Sequence, residues 1–353
     1  MTLLKLPGLI DPHVHLRDPG ATHKEDFDSG TAAALAGGFS CVMDMPNNTP
    51  PLTDGPTLAA KQQAARARAR CDYGIHFGAG ADNVESAPPF ARQCSGLKMY
   101  LDQTFGPLRL DELGTLMGHA EHWPHDAPLL CHAEGRTVAA AILAANLFDR
   151  SVHICHVSRK DEIELIRTAK GKGLRVTCEV TPHHLFLTEE DIPSIGAGRG
   201  EVRPRLAMRA DREALRANLD VVDCFATDHA PHTLDEKDSA NPPPGFPGLE
   251  TALALYLELV HEGIITLDEL ITRCVHNPRR LFGVPEQPGT WIEVDTDEAW
   301  VAHGAAMHGR ARWTPFEGRR MCGRVKRVVL RGQDAYCDGQ VLAAPGSGRD
   351  IRE

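Results

Sequence analysis

Eight short runs of apolar and β-branched residues recur along the first two-thirds of the chain: LIDPHVHL (9–16), FSCVMDMP (39–46), YGIHFGA (73–79), LKMYL (97–101), PLLCHAE (128–134), VHICHVS (152–158), RVTCEV (175–180) and VDCFATDHA (222–230). Most are followed by a stretch with helical spacing, such as FDSGTAAALAGG (27–38), TLAAKQQAARARAR (57–70), RTVAAAILAANLFD (136–149) and RKDEIELIRTAKGKG (159–173). Continuously apolar strands alternating with helices are the pattern of a parallel sheet covered on both faces. Eight such units predict an α/β chain folded as a (β/α)₈ TIM-type barrel. A doubly wound open sheet is the competing architecture, but it would place a Gly-rich phosphate turn after the first strand, and the sequence has none there.

Beyond about residue 284 the spacing changes. WIEVD (291–295), RVKRVVLRG (324–332), DAYCDG (334–339) and QVLAAPG (340–346) read as short strands and turns. The expected division is therefore a barrel over 1–284, a small β appendage over 285–345 and a linker-like tail over 346–353. The opening MTLLKLPGLIDPHVH reads as one strand running straight into a His pair, and it lacks the charged start and cleavage site of a signal peptide. The N-terminal half of the appendage expected for such a barrel is nearly absent. The ragged ends suggest a piece of a longer polypeptide.

Composition narrows the function classes. The 353 residues carry 42% hydrophobic and 24% charged residues, enough for a large core and ordinary for a globular protein. The net charge of -10 leaves no excess of Lys and Arg to neutralise phosphates, so a nucleic-acid partner is not expected. No apolar run approaches a membrane span. The ten Cys are scattered, several within strand-like runs, which suits buried free thiols in a reducing compartment and hence the cytosol.

Candidate metal ligands sit at or just beyond the C-terminal ends of the expected strands: His13 and His15, Lys98, His132, His156 and Asp228. In a (β/α)₈ barrel those ends converge on one mouth, where active sites are built. Residues two apart on a strand share a face, so His-x-His delivers two imidazoles to one ion. An isolated His-x-His is as easily two unrelated histidines, but the three further ligands at different strand ends weigh against that. Lys98 cannot bind a metal as an ammonium, and a lysine inside a strand is costly to bury. It either snorkels outward or reacts with carbon dioxide to form a carbamate able to bridge two cations. Burial in general favours the neutral amine that this reaction needs.

Seven segments in order, HVHLRDPG (13–20), MPNNTPP (45–51), GLKMYL (96–101), CHAE (131–134), HICHVS (153–158), EVTPHHL (179–185) and FATDHAPH (225–232), resemble dihydroorotases of the amidohydrolase superfamily, over nearly the whole chain. With WTPFEG (313–318) and GRVKRVVLRGQDAYCDGQVL (323–342), the resemblance is closest to the dihydroorotase domain of the animal multifunctional pyrimidine-synthesis polypeptide. It implies reversible cyclisation of N-carbamoyl-L-aspartate to L-dihydroorotate. It also implies one zinc on His13, His15 and Asp228, a second on His132 and His156, and carbamylated Lys98 with a hydroxide bridging them. Asp228 would act as general base and acid. Arg17 would grip the substrate α-carboxylate as a bidentate fork, shared with Asn47 and His232. Arg203 and the turn at Pro244 would touch the ring end.

The resemblance further implies a homodimer and a native fusion to carbamoyl-phosphate synthetase and aspartate transcarbamoylase domains. Cys155, Glu179 and a shared His13 would hold a third zinc; the alternative is a buried thiol and an ordinary carboxylate. Thr104 and Phe105, in DQTFGPL (102–108), would form a lid that reaches the substrate and excludes water; the alternative is a surface turn with one packed aromatic. His119, His122 and His125 are expected to be exposed, and His229 to point away from Asp228. Two other functions compete: a hydantoinase-like or allantoinase-like cyclic amidase, which shares the metals but needs no carboxylate grip, and a catalytically dead barrel kept as a scaffold, which would have lost ligands.

Overall fold

The computed structural model describes residues 3–353. Eight strands form one parallel sheet in sequence order: β2 (Leu9–Val14), β3 (Phe39–Asp44), β4 (Asp72–Gly78), β5 (Gly96–Tyr100), β6 (Leu129–His132), β7 (Val152–Ile154), β8 (Val176–Val180) and β9 (Cys224–Phe225). A parallel bridge between Val14 and His229, with His15 N donating to His229 O at 2.7 Å, ties the first strand to the segment after the last. The sheet is a barrel with helices between its strands, as the spacing predicts. Strands β2, β3, β4 and β5 are buried at every position because barrel side chains face the interior on one side and the helices on the other.

One end of the interior is apolar: Ile10, Cys41, Met43, Leu130, Phe282 and Ile351 belong to one buried cluster. The other end, where the strands finish, is lined by the polar residues of the candidate site. The helix Phe27–Ala36 starts from an Asp26–Ser29 capping box, and Gly55–Arg68 from the matching Asp54–Thr57 box. Such caps satisfy the free N–H groups of the first turn and fix where each connection enters its helix.

The N-terminal run corrects the expectation of a single strand. It is two strands in two sheets: β1 (Leu3–Pro7) leaves the barrel and pairs antiparallel with β10 (Trp291–Val301), while β2 starts the barrel. Gly8 is the crossing point, where a Cβ would sit 2.5 Å from Ser40 Oγ. Met1 and Thr2 lie outside the described residues. The appendage is thus five-stranded, ordered β1, β10, β11 (Arg320–Leu330), β12 (Gln333–Cys337) and β13 (Gln340–Val341). Its Ile292, Val294, Val325 and Val328 share the main hydrophobic cluster with Leu253 and Leu257 of the helix Leu249–His261.

The C-terminal segment does not behave as a linker. Tyr73 N donates to Arg349 O and Ile351 N to Tyr73 O, both at 2.9 Å, so residues 349–351 run along β4 with Ile351 in the apolar plug. Its Gly- and charge-rich composition hides that single anchoring Ile. All ten cysteines are free, eight of them buried. Among the described residues no helix is long and apolar enough to cross a membrane.

Candidate functional site

The expected ligands meet at the strand ends. His13 lies in β2 and His15 just beyond it; Lys98 is in β5, His132 ends β6, Glu179 is in β8, and Cys155, His156 and Asp228 follow β7 and β9. Arg17, His156 and Asp228 have positive φ values of 59°, 37° and 46°. Left-handed backbone at non-glycine residues is costly and persists only where the surroundings dictate it. Here hydrogen bonds dictate it for Asp228: buried Asp11 accepts from His13 N, Thr227 N and Thr227 Oγ1, and Thr227 Oγ1 accepts from His229 N at 3.0 Å.

Two neighbours set the tautomers of the His pair. His13 Nδ1 lies 2.5 Å from Glu179 Oε1, and His15 Nδ1 lies 2.6 Å from Asn47 Oδ1. The Asn47 amide is oriented by its Nδ2, which donates to Phe105 O at 3.1 Å. Each Nδ1 therefore carries the proton, leaving both Nε2 atoms bare. Those bare nitrogens face one oxygen: Asp228 Oδ1 is 3.3 Å from His13 Nε2 and 3.0 Å from His15 Nε2. Burial lowers the His15 imidazole to about 3, so it is neutral at pH 7. Burial pushes the Asp228 carboxyl upward, but positive charge at the position of His13 and His15 outweighs it and holds the group below the usual carboxylate range. Three acceptors converging in a buried space call for a proton or a metal cation between them. The donor set His13, His15 and Asp228, all within 4.8 Å of one another, fits a metal ion.

The second cluster adjoins the first. His132 Nδ1 is 2.9 Å from His156 Nε2, and the His13 and His156 ring centroids are 5.2 Å apart. His156 Nδ1 is buried without a hydrogen-bond partner. Burial lowers both His132 and His156, which favours the neutral form that binds metals. Lys98 is fully buried, and among the described residues its Nζ hydrogen-bonds only to Cys155 Sγ, at 2.9 Å. The three N–H bonds of an ammonium would face a single sulfur and, 5.2 Å away, the Tyr100 ring. So few partners leave room for a carbamate on Lys98 to be held by a metal ion. His13, Cys155 and Glu179 form a second group of donor atoms within 4.8 Å. Glu179 Oε2 also holds His153 Nε2 at 3.1 Å, and His153 Nδ1 meets Thr177 Oγ1 at 2.8 Å.

The opposite side of the mouth gathers donors. Arg17 is buried; its Nε donates to Pro231 O, its Nη2 lies 3.1 Å from His232 Nε2, and its Nη1 has no partner. His232 Nε2 donates to Pro244 O at 3.0 Å, and its Nδ1 lies 3.1 Å from Lys24 Nζ. Burial, then Arg17 and Lys24, keep the His232 imidazole neutral. The Phe105 ring covers this group, 5.1 Å from the His232 ring, 5.2 Å from the Arg17 guanidinium and 4.8 Å from Lys24 Nζ. Thr104, beside it, is half-buried. Arg203 is placed further out, paired with Glu201 Oε2 at 2.8 Å.

This constellation sits on a chain whose residues 4–102 match the amidohydrolase family model. Over 350 residues the chain is 55% identical to the multifunctional protein CAD of Squalus acanthias, covering 99% of this chain and 16% of that protein. It is 34% identical over 363 residues to the dihydroorotase of Pyrococcus furiosus, covering 99% of this chain and 85% of that enzyme. The chain belongs to the dihydroorotase family. Among solved structures, the inactive dihydroorotase-like domain of the Chaetomium thermophilum CAD-like multifunctional protein superposes with a TM-score of 0.85 at 29% identity, covering 99% of both chains. This dihydroorotase-family chain spans about 16% of the length of its multifunctional relatives.

Several residues that shape the site carry no signal in the sequence pattern. Lys61, fully buried, pairs with Asp44 Oδ2 and Asn48 Oδ1 at 2.7 Å each and so fixes the loop that carries Asn47. Lys237 Nζ donates to Glu201 O, Pro243 O and Gly245 O, knitting the Arg203 and Pro244 loops together. A lysine in a polar loop reads as solvated, and only the fold reveals carbonyls gathered around it. His119, expected to be exposed, is buried and meets Gly80 O at 2.8 Å; one face of its helix turns it inward. His229 points away from Asp228, its ring lying between Glu25 and Gly248 N.

Proposed function

We propose that this chain interconverts N-carbamoyl-L-aspartate and L-dihydroorotate plus water by zinc-dependent catalysis, a step of de novo pyrimidine synthesis toward UMP. The observation that carries the reading is the convergence of two bare imidazole nitrogens and the Asp228 carboxylate at one point, joined through Asn47 and Phe105 to the free Arg17 fork. One zinc would be held by His13, His15 and Asp228, a second by His132 and His156, with Lys98 as a bridging carbamate; a third would take Cys155, Glu179 and His13. Bound zinc would polarise the reacting carbonyl and lower the pKa of water beside it.

The chain's own groups do the rest. Asp228, held ionised, takes the proton of the attacking water in the opening direction and returns it to the amide nitrogen as the ring C–N bond breaks. In the closing direction it takes the proton of the attacking ureido nitrogen as the C–N bond forms and passes it to the departing carboxyl oxygen, whose C–O bond breaks to release water. Arg17 binds the α-carboxylate through its unpartnered Nη1, and His232 adds its Nε2–H. Asn47, already shared between His15 and Phe105, joins that grip by exchanging Phe105 O for the substrate. Thr104 and Phe105 close over the substrate and exclude water. Arg203 and Pro244 shape the ring end from the loops that Lys237 ties together.

A hydantoinase-like or allantoinase-like amidase would have no use for a buried Arg17 with a free Nη1. A dead scaffold is disfavoured because every ligand position around the mouth is filled by a donor. A homodimer, which rests on the resemblance alone, belongs to the same proposal. So do the fusion to carbamoyl-phosphate synthetase and aspartate transcarbamoylase domains and a cytosolic location. The deciding experiment is a carbamoyl-aspartate cyclisation assay with metal analysis on the same sample. Turnover with bound zinc is expected; a zinc-loaded chain without turnover would return the scaffold reading.

A further inference from the structure

Lys24 lies outside every motif that marks the site, yet it is buried against it. Its ammonium contacts His232 Nδ1 at 3.1 Å and Glu236 Oε1 at 3.0 Å, and the Phe105 ring covers it at 4.8 Å. An ammonium has three N–H bonds and no lone pair, so His232 Nδ1 accepts from it and the ring proton must sit on Nε2. That proton goes to Pro244 O at 3.0 Å, but Nε2 also lies 3.1 Å from Arg17 Nη2. Two donors therefore face each other beside Arg17 Nη1, which is buried and has no partner at all.

The other tautomer would end the contact between these two donors, at the cost of the bond from Nε2 to Pro244 O. With the proton on Nδ1, His232 Nε2 would accept from Arg17 Nη2, and the fork would be partly satisfied by the protein itself. Lys24 forbids that state. From this geometry we propose that Lys24 is a positioning residue that, together with Pro244 O, holds His232 as the Nε2–H tautomer, so that His232 cannot accept from Arg17 and the Arg17 fork is left for an anion, the substrate carboxylate, to complete the cradle. The proposal rests on Arg17 and His232 being the carboxylate grip. Its physical basis is that a donor left without an acceptor in a dry site costs free energy, which the arriving carboxylate removes through charge-assisted bonds.

The test uses the zinc-loaded full chain and two variants. Lys24→Met removes charge and donor; Lys24→Gln removes the charge but keeps an N–H donor. Nitrogen-15 NMR of the His232 ring, assigned by its loss in His232→Gln, is expected to show a protonated Nε2 and a bare Nδ1 in the wild type. Lys24→Met is expected to move the proton toward Nδ1 and to raise KM for dihydroorotate about tenfold to a hundredfold, with a smaller change in kcat and unchanged zinc. Lys24→Gln is expected to hold the tautomer and to lose less affinity. An unmoved tautomer or an unchanged KM in Lys24→Met overturns the proposal, as does a Lys24→Gln variant that keeps the tautomer but loses as much affinity as Lys24→Met. If Lys24→Met does not fold, the Lys24→Gln tautomer decides, a displaced proton overturning the lock. A wild-type enzyme that shows the Nε2–H tautomer but no turnover of dihydroorotate would instead sink the functional reading.

Discussion

The two ends of the mouth are electrostatic opposites. At the His13 end three acceptors crowd one point, with Asp228 Oδ1 within 3.3 Å of two bare nitrogens. At the Arg17 end the crowding is of donors, with Nη2 3.1 Å from a protonated His232 Nε2 and Nη1 unpaired. Neither end is satisfied by the protein alone, and each lacks the partner the other repels. Under the proposed function a cation would occupy the first and a carboxylate the second. A substrate with a reacting carbonyl and a carboxylate on one ring spans both. The comparison shows that a buried site announces its ligand by the sign of what is left unpaired.

The strongest way to break this contrast is to remove the group both metals would share. Lys98→Ala should strip zinc and abolish turnover, because the buried histidines would lose the shared anionic neighbour that a Lys98 carbamate would supply. Full zinc with near-normal rate, read by metal analysis and assay, would end the bridging role.

At the other end, Arg17→Lys keeps the charge and loses the fork. Dihydroorotate affinity should fall about tenfold to a hundredfold, the worth of roughly 1.5–3 kcal/mol of charge-assisted bonding, while zinc stays bound. An unchanged affinity would place the carboxylate elsewhere.

The Phe105 ring covers the donor end, so its truncation should sharpen the contrast. Phe105→Ala and Thr104→Ala should lower the rate roughly tenfold, or about 1.4 kcal/mol, with zinc content and Tm intact. If Phe105 served the core instead, truncation would cost about 3–5 kcal/mol of stability with normal turnover per folded molecule. Tm and rate on the same protein separate the two.

The smallest effect calibrates pH studies of both ends. His308, far from the mouth, has its pKa raised by the hydrogen bond to Glu250, 2.9 Å away. A raised histidine stabilises the fold below its unfolded pKa near 6.5, and that contribution disappears as pH rises through the folded value. Denaturant midpoints of the wild type should fall slightly over that interval, and His308→Gln should flatten the slope. An unchanged slope would show that the pair contributes nothing.

Much of this was written in the sequence by itself. Eight apolar runs determined eight barrel strands, and ligand residues at their ends determined where a metal site would form, because strand burial and the two-residue side-chain period are local rules. The family motifs singled out Arg17, His232 and Asn47, which the fold brings to the same mouth. Tertiary structure alone decided the rest. It sent Leu3–Pro7 to pair with Trp291–Asp295, a choice no local pattern can encode, since either sheet accepts the same alternation. It laid Ile351 against the barrel plug. It also decided which nitrogen of each histidine is bare, through Glu179, Asn47 and Lys24, residues far away in the chain. A tautomer follows from the partner a ring nitrogen meets in space, and that meeting exists only once the strands have closed into a barrel.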